Sequence, residues 1–211
     1  MKKVLIITYS QDNECIDMVS NEIKNKGGTA VRFNTDTFPG ESKLALSNTD
    51  GNWKNILQTN NAEFLIDEFE SIWYRRLRIA ENLKGKVEKK YIGPSVEESR
   101  RTFFGMLNSL DVFHMDDFHK IRKSEVKQLQ LKLAEQYGLK TPKTLITNNP
   151  DEVRKFYTNC KNGIISKMQA SFAIYENDEE NVVFTNELKE SDLKNLEDLI
   201  YCPMQFQEKI D

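Results

Sequence analysis

The feature that most constrains this fold is a strand, a helix and a second strand that follow one another at the start of the chain. Residues 3–8 form a short apolar run of the kind found in strands that are buried on both faces of a parallel sheet. Residues 15–26 carry apolar side chains at helical spacing, and glycines 27 and 28 favour the end of that helix. Residues 30–33 then predict a second strand. This order predicts a right-handed βαβ unit that begins an open α/β sheet.

The rest of the first half predicts further elements of an α/β domain. Residues 43–46 and 63–66 have the pattern of short strands, with a turn-rich segment between them. Residues 71–76 predict a strand of bulky side chains that ends in two arginines, and residues 96–110 have helical periodicity. A charged stretch follows, so we expect a domain boundary near residues 115–120.

The second half predicts a smaller α+β domain. Residues 124–137 have one apolar helical face, and Gly138 favours a helix end. Residues 144–147 and 163–167 predict strands, and the segment Asn-Pro-Asp-Glu-Val at 149–153 is typical of a capped helix start.

Three more elements are predicted before residue 211. Residues 171–175 and 181–185 flank a polar turn and predict a hairpin. Residues 189–199 predict a short helix, and residues 204–210 alternate as a strand does. The buried side of the helix is predicted to consist of Leu193, Leu196 and Leu199.

Composition excludes several classes of partner. Hydrophobic residues make up 38% of the chain and charged residues 30%, with a formal net charge of −3, so nothing attracts the chain to nucleic acid or to an anionic membrane. The first apolar run covers residues 4–7, far short of the roughly 20 residues that a membrane helix needs. No signal segment is recognisable. We expect a cytoplasmic protein that binds neither nucleic acid nor a membrane.

The cysteines give no sign of a metal site. Cys15, Cys160 and Cys202 lie far apart and lack C-x-x-C spacing, and only His114 and His119 are available as histidine ligands. Free thiols and no bound metal are therefore expected.

Two lysines are candidates for binding phosphate. Lys127 stands near the start of a predicted helix, and Lys167 stands at the end of a predicted strand. An ammonium group suits phosphate oxygens, and a strand gives such a group a rigid base. Spacing alone leaves open that both are ordinary surface lysines, as most lysines are.

Several motifs resemble those of known ligases. The run at 127–148, GIISKM at 163–168 and CPMQFQEKI at 202–210 resemble the ATP-grasp ligases. The chain also resembles, more narrowly, the microviridin-type graspetide synthetases. The motifs that carry this resemblance are TYSQDNE at 8–14, RFNTDTFP at 32–39, IWYRR at 72–76, SFAIY at 171–175 and VVFT at 182–185. Because they occur in the family's order over the whole chain, the resemblance is more specific than any one motif.

The resemblance implies a fold and a reaction. It implies an N-terminal pre-ATP-grasp α/β domain at 1–118, an ATP-grasp central domain at 119–206 with a leader-binding hairpin and helix, and a hinge at 207–211 that begins a C-terminal domain. ATP would lie between the last two domains and activate Asp or Glu side chains of a precursor peptide as acyl phosphates. Attack by Ser or Thr hydroxyls would form ω-ester rings, while the lactam-forming branch of the family remains open.

The same resemblance assigns the nucleotide-binding positions. They are Lys127 and Lys167 for the phosphates, Glu208 and the backbone of Ile210 for adenine, and Met168 for a purine face. A strand-like hinge offers the alternating carbonyl and N–H groups that an adenine edge needs. Phe206 suits either a purine face or the core.

The resemblance also assigns a peptide-binding element. Asp192 and Asn195 match positions that contact the precursor's helical leader, and their spacing of three places them on one helical face. Ser191 replaces the acidic residue expected beside Asp192, which bears on the strength of leader binding. The alternative is an ordinary solvated face.

Arg75 and Arg76 are candidates for binding substrate carboxylates, because guanidinium groups match carboxylate geometry. A structural role, as ion pairs, is the favoured interpretation.

The resemblance places the Mg²⁺ ligands and the catalytic residues in a domain beyond residue 211. We therefore expect the whole enzyme to need ATP and Mg²⁺, and this chain alone to bind leader peptide without turnover. The alternatives are a peptide-binding module without catalysis and a small-molecule carboxylate-amine ligase. The family also implies a possible homodimer.

Overall fold

The structure is a computed structural model that describes residues 2–60, 62–170, 173–176, 179–182 and 184–210, with backbone alone at 173–176 and 179–182. The chain divides into two compact units, Met1–Ile121 and Arg122–Asp211.

The first unit is built on a parallel sheet. In chain order its elements are β1 (Lys3–Thr8), α1 (Cys15–Asn25), β2 (Thr29–Asn34), β3 (Lys43–Thr49), β4 (Asn52–Gln58), β5 (Glu63–Leu65), β6 (Ser71–Tyr74), α2 (Lys89–Ser109), β7 (Phe113–Met115) and α3 (Phe118–Ser124), the last crossing the division between the units. The parallel sheet has the order β2-β1-β6-β7. The predicted βαβ unit is confirmed, and Gly27 follows α1 with a φ of +77°.

The sequence prediction missed two strands in the first unit, β4 and β7. β3, β4 and β5 form an antiparallel sheet in which β4 is the middle strand, and β3 turns into β4 at Asp50 and Gly51. Only β3 and β5 were predicted. β4 exposes Trp53 and buries Asn55 beside Leu57, so its sequence lacks the simple apolar alternation of a half-buried strand.

The core of the first unit joins the parallel sheet to α2. Leu5 and Ile72 from neighbouring strands pack with Phe33, Phe103 and Met106, and each of these side chains is fully buried. The Phe33 and Phe103 rings lie 6.0 Å apart. The predicted helix at 96–110 is therefore real, although it starts earlier than predicted, at Lys89.

The second unit is a four-stranded antiparallel sheet with helices. Its elements are α4 (Lys127–Gln136), β8 (Thr144–Thr147), α5 (Pro150–Asn159), β9 (Ile164–Lys167), β10 (Ala173–Glu176), β11 (Glu179–Val182), β12 (Asn186–Leu188) and β13 (Met204–Glu208). The sheet order is β12-β9-β13-β8, so β13 lies between β9 and β8. β10 and β11 pair antiparallel, as the predicted hairpin requires. Predicted strand residues 171, 172 and 183 lie outside the described residues.

Local signals predicted the end of α4 and the start of α5. Gly138 follows α4 with a φ of +78°, and its N–H donates to the Glu135 carbonyl. The Asn149 side chain caps α5 by accepting a hydrogen bond of 3.0 Å from the Asp151 N–H. The predicted helix start at 124 was three residues early, because α3 ends at Ser124 and α4 begins at Lys127.

The predicted helix at 189–199 is wrong in type. The segment forms two short 3₁₀ turns, Asp192–Asn195 and Glu197–Tyr201. Its leucines recur every three residues, which is the period of a 3₁₀ helix rather than of an α-helix. Leu193, Leu196 and Leu199 still pack against the core of this unit, as predicted.

Phe206 belongs to that core. Its side chain is 1% exposed and packs in a cluster with Val153, Ile164 and Leu199. Of its two predicted roles, the structure supports the core position and not a purine contact.

Candidate functional site

The face of the β8-β13-β9 sheet opposite Phe206 is polar. Side chains alternate between the two faces of a strand, so Gln205 and Gln207 lie on the other side from Phe206, and both are nearly fully buried. The Lys167 Nζ donates a 2.8 Å hydrogen bond to Gln207 Oε1. Gln207 Nε2 in turn donates to Thr144 Oγ1 at 2.9 Å, and that hydroxyl donates to the Pro142 carbonyl at 2.9 Å.

This chain of hydrogen bonds fixes the lysine. An ammonium group only donates, so Gln207 must present its carbonyl oxygen to Lys167 and its amide N–H₂ to Thr144. The donor and the acceptor of each hydrogen bond in this relay, from Lys167 through Gln207 and Thr144, are therefore defined. Lys167 uses one of its three protons, which leaves two for an anionic ligand.

A cavity of about 600 Å³ lies between α4 and β8. Its lining combines Gln128, Leu131 and Glu135 of α4 with Thr144 and Ile146 of β8. Thr144 therefore belongs both to the cavity wall and to the relay that holds Lys167. A mixed apolar and polar lining of this size suits a small-molecule ligand.

Lys127 is the first residue of α4, the helix that supplies one wall of the cavity. Its Nζ lies 3.4 Å from Gln130 Oε1 within the same helix. Lys127 and Lys167 thus take different partners, and no contact joins them in the described part of the chain.

The predicted hinge continues from β13. The Glu208 N–H donates to the Lys143 carbonyl, on the β8 side, while the Lys209 N–H donates to the Gly163 carbonyl, on the β9 side, each at 3.0 Å. Glu208 Oε1 accepts a 2.9 Å hydrogen bond from the Lys143 N–H. Ile210 is 69% exposed.

Met168 directly follows β9 and is half-buried. It therefore stands one residue beyond Lys167, just past the end of the strand that pairs with β13.

The predicted leader-binding residues lie on the first 3₁₀ turn. Asp192 and Asn195 are both exposed. Asp192 Oδ2 accepts a 2.8 Å hydrogen bond from the Lys189 N–H, so the carboxylate also closes its own turn. Arg154 of α5 anchors the segment, since its guanidinium donates to the Leu193 carbonyl at 3.2 Å and to Glu197 Oε1 at 2.9 Å.

In the first unit, Arg75 and Arg76 lie beside the buried carboxylate of Asp12. Arg76 Nη1 lies 3.3 Å from Asp12 Oδ1, and Arg75 Nε lies 3.9 Å from Asp12 Oδ2, whose side chain is 0% exposed. Thr8 Oγ1 and the Asn13 N–H also donate to this carboxylate, at 2.6 and 2.8 Å.

The electrostatics of this cluster favour an ionised Asp12. Burial alone would raise the pKa of Asp12, but the hydrogen bonds from Thr8 and Asn13 and the charges of Arg76 and Arg75 together hold that pKa below its ordinary value. Two guanidinium groups share this one carboxylate, and Arg76 remains about half exposed.

Three positions escaped sequence reasoning. Gln207, Thr144 and Lys143 contribute to the relay or to the hinge contact, yet none belongs to a residue type or spacing that signals a site. Each acts across strands, since the Gln207 contacts reach 40 and 63 residues along the chain. Only the strand pairing brings them together.

The described residues offer no metal site. Within the ranges given above, no three His, Cys, Asp or Glu side chains are grouped so as to hold a metal ion. Cys15, Cys160 and Cys202 are free, and burial raises the pKa of the Cys160 thiol. Across the same residues, no helix has the length and apolar character needed to cross a membrane.

A parallel α/β unit followed by an antiparallel sheet with a strand-borne lysine fits the ATP-grasp resemblance of the sequence. The comparisons agree. The family described as the MvdD pre-ATP grasp domain matches residues 3–122. Comparison with curated protein sequences found no match.

Solved structures of macrocyclases and related ligases are similar over the whole chain. A RiPP-associated ATP-grasp ligase from Chryseobacterium gregarium, in complex with ADP and a leader and core peptide, is 40% identical over 100% of this chain, with a TM-score of 0.87. The macrocyclase MdnC of Microcystis aeruginosa MRC, bound with its precursor peptide MdnA, is 40% identical over 99%, with a TM-score of 0.92. Macrocyclase MdnB of the same organism is 33% identical over 100%, with a TM-score of 0.84.

This chain spans 63% of the length of the first of these proteins and 68% of the other two. It belongs to the microviridin-type graspetide synthetases, a family of ATP-grasp ligases.

Proposed function

We propose that the protein carrying this chain uses ATP to close side-chain rings in a ribosomally made precursor peptide, and that the second unit binds both the nucleotide and the peptide's helical leader. The observation that carries the proposal is the Lys167 ammonium, held by Gln207 beside the hinge strand of a sheet that resembles those of peptide macrocyclases.

The proposed reaction has two steps, activation of a carboxylate and formation of an ester. An Asp or Glu carboxylate of the peptide attacks the γ-phosphorus of ATP, which gives an acyl phosphate and releases ADP. A Ser or Thr hydroxyl then attacks the acyl carbon, loses its proton and expels inorganic phosphate, which leaves an ω-ester. Mg²⁺ would accompany ATP and neutralise phosphate charge.

This chain's own residues would bind and orient the nucleotide. Lys167 donates its two free protons to phosphate oxygens, and Lys127 adds a second ammonium from the start of α4. Met168 packs on a purine face, and the hinge from Glu208 to Ile210 meets the adenine edge through its backbone.

The leader would dock on the first 3₁₀ turn. Asp192 and Asn195 present exposed polar groups there, and the Arg154 contacts keep the turn in place. Arg75 and Arg76 serve chiefly to hold Asp12, with the half-exposed Arg76 available to a carboxylate of the peptide.

Mass spectrometry of a precursor peptide tests the reaction. The protein as encoded by its gene is incubated with ATP, Mg²⁺ and a peptide that has a helical leader and a core rich in Thr, Ser, Asp and Glu. We expect ATP-dependent loss of one water per ring, and hydroxide cleavage of those rings if they are esters. Binding of the peptide with no loss of water would favour a module without catalysis, and ligation of a free amino acid would favour a small-molecule ligase.

A variant and its control test whether Gln207 positions Lys167 for phosphate binding. Gln207→Met removes the acceptor of Lys167, and we expect ATP affinity to fall about tenfold while adenosine affinity is unchanged. Gln205→Met, equally buried on the same face, is the matched control. Equal losses for ATP and adenosine would show only general damage to the sheet.

A leader titration tests the peptide site. Asn195→Ala should weaken binding of a labelled leader without lowering stability, since Asn195 is exposed. Asp192→Asn retains an acceptor for the Lys189 N–H while it removes the charge, so it tests the charge apart from the turn. Unchanged leader affinity in both variants would refute this assignment.

A further inference from the structure

The hydrogen-bond ladder between β13 and β8 stops in an unusual way at Glu208. The two strands pair antiparallel up to Gln207 and Thr144, so the next pair in register is Glu208 and Lys143. A hydrogen-bonded antiparallel pair exchanges two backbone bonds. Here the Glu208 N–H donates to the Lys143 carbonyl as expected, but the Lys143 N–H donates to the Glu208 side chain, at Oε1.

The carboxylate thus replaces the backbone carbonyl of its own residue. The Lys143 N–H has one proton, and the 2.9 Å bond to Oε1 uses it. Lys143 Nζ, 3.6 Å from Oε2, supports the same orientation of the carboxylate. The main-chain carbonyl of Glu208 therefore accepts no hydrogen bond from the Lys143 N–H, which the regular ladder would place on the β8 side of that oxygen.

The next group on that side is a donor. Successive residues of a strand direct their N–H and C=O groups to opposite neighbours, as the bonds of Glu208 and Lys209 do. Continuation of this alternation past the end of β13 would direct the Ile210 N–H to the same side as the Glu208 carbonyl. A carbonyl and an N–H two residues apart complement the amine and the adjacent ring nitrogen of adenine, whereas hypoxanthine presents the opposite pattern.

We propose that the Glu208 side chain is a positioning residue that sets the base selectivity of this protein, because it holds the Lys143 N–H away from the carbonyl that adenine needs. The inference rests on the proposed nucleotide site and deepens it. The conservative change Glu208→Gln retains a side-chain acceptor for the Lys143 N–H. Glu208→Ala does not, so the Lys143 N–H can donate to the carbonyl of residue 208 and compete there with an adenine amine.

The test compares affinities for ATP and inosine triphosphate, measured by calorimetry on the protein as its gene encodes it. We expect the wild type and Glu208→Gln to prefer ATP, and Glu208→Ala to lose that preference by about tenfold, the worth of one hydrogen bond. Glu187→Ala is the matched control, because Glu187 also pairs with a hinge lysine, Lys209 Nζ at 2.8 Å, without accepting from the backbone N–H of Lys143.

A second readout needs no nucleotide. A scalar coupling across the hydrogen bond, from the Lys143 nitrogen to the carbonyl carbon of residue 208, should be absent in the wild type and present in Glu208→Ala. That coupling in the wild type, or an unchanged ATP preference in Glu208→Ala, would overturn the inference while nucleotide binding stands. A wild type that binds neither triphosphate would instead overturn the nucleotide site, and this inference with it.

Discussion

Asp12 lies at the carboxyl end of β1, where the Thr8 hydroxyl, the Asn13 N–H and two arginines converge on its carboxylate. The side chain is fully buried, so its charge is compensated entirely by these neighbours. Arg76 donates a hydrogen bond to this carboxylate, whereas the buried Arg75 Nε has no hydrogen-bond partner in the described part of the chain and contributes its charge alone. Removal of the charge therefore affects more than one contact.

Asp12→Asn should destabilise the first unit by about 2–3 kcal/mol at pH 7, because two guanidinium groups lose their shared counter-charge. Urea unfolding monitored by fluorescence measures the change. Asp17→Asn, an exposed aspartate on α1, is the control and should change stability by less than about 0.5 kcal/mol.

The same variant has a defined pH dependence. The pKa of Asp12 is lowered in the folded state, so its contribution is complete above the unfolded pKa of about 3.9 and is lost as pH falls through the folded value. The stability difference between wild type and variant should therefore be constant from pH 7 to pH 5 and shrink below pH 4. A difference that shrinks between pH 7 and pH 5 would contradict this assignment.

At the scale of elements, the stability of α5 depends on its N-cap residue, Asn149. Asn149→Ala removes the hydrogen bond to the Asp151 N–H and should cost the second unit about 1 kcal/mol. Asn159→Ala, at the exposed last residue of the same helix, is the matched control. Thermal unfolding followed by circular dichroism compares the two, and equal shifts would mean that the cap contributes nothing specific.

The elements that the sequence predicted well carry their own local signals. β1 has a continuous apolar run, α5 has Asn149 before Pro150, and α4 has Gly138 after it. The 3₁₀ turns at Asp192–Asn195 were mistaken for an α-helix, since a three-residue spacing of leucines satisfies both periods over so few turns.

The candidate site was predictable only in part. Lys167 could be singled out because a motif and a strand end coincide there. Its partner Gln207 could not, because their contact depends on the register between β9 and β13, which only tertiary pairing determines. The substitution of the Glu208 carboxylate for a backbone acceptor is likewise invisible until β8 and β13 are aligned.

At the scale of the whole molecule, each unit has a separate hydrophobic cluster. The first includes Phe103 and the second includes Phe206, and no residue belongs to both clusters in the described part of the chain. Two clusters of this kind predict two cooperative units of unfolding.

Phe206→Ala should destabilise the second unit by about 3–5 kcal/mol through the cavity that it leaves. Hydrogen exchange measured by mass spectrometry should then accelerate in β8 and β9 and stay unchanged in β1 and β2. Tyr201→Ala, at an aromatic residue that is 82% exposed in the same unit, serves as the control. Accelerated exchange in both units would refute separate unfolding.

The position of β13 has a consequence for how the protein is made. β8 and β9 precede β13 by about 40 residues or more in the chain, yet they pair only through it. During synthesis β8 and β9 therefore lack the strand that lies between them until residue 208 has left the ribosome. Until then, each of these two strands has an unpaired edge. The parallel sheet of the first unit is complete once β7 emerges. The nascent chain thus carries a finished first unit while β13 is still to be translated.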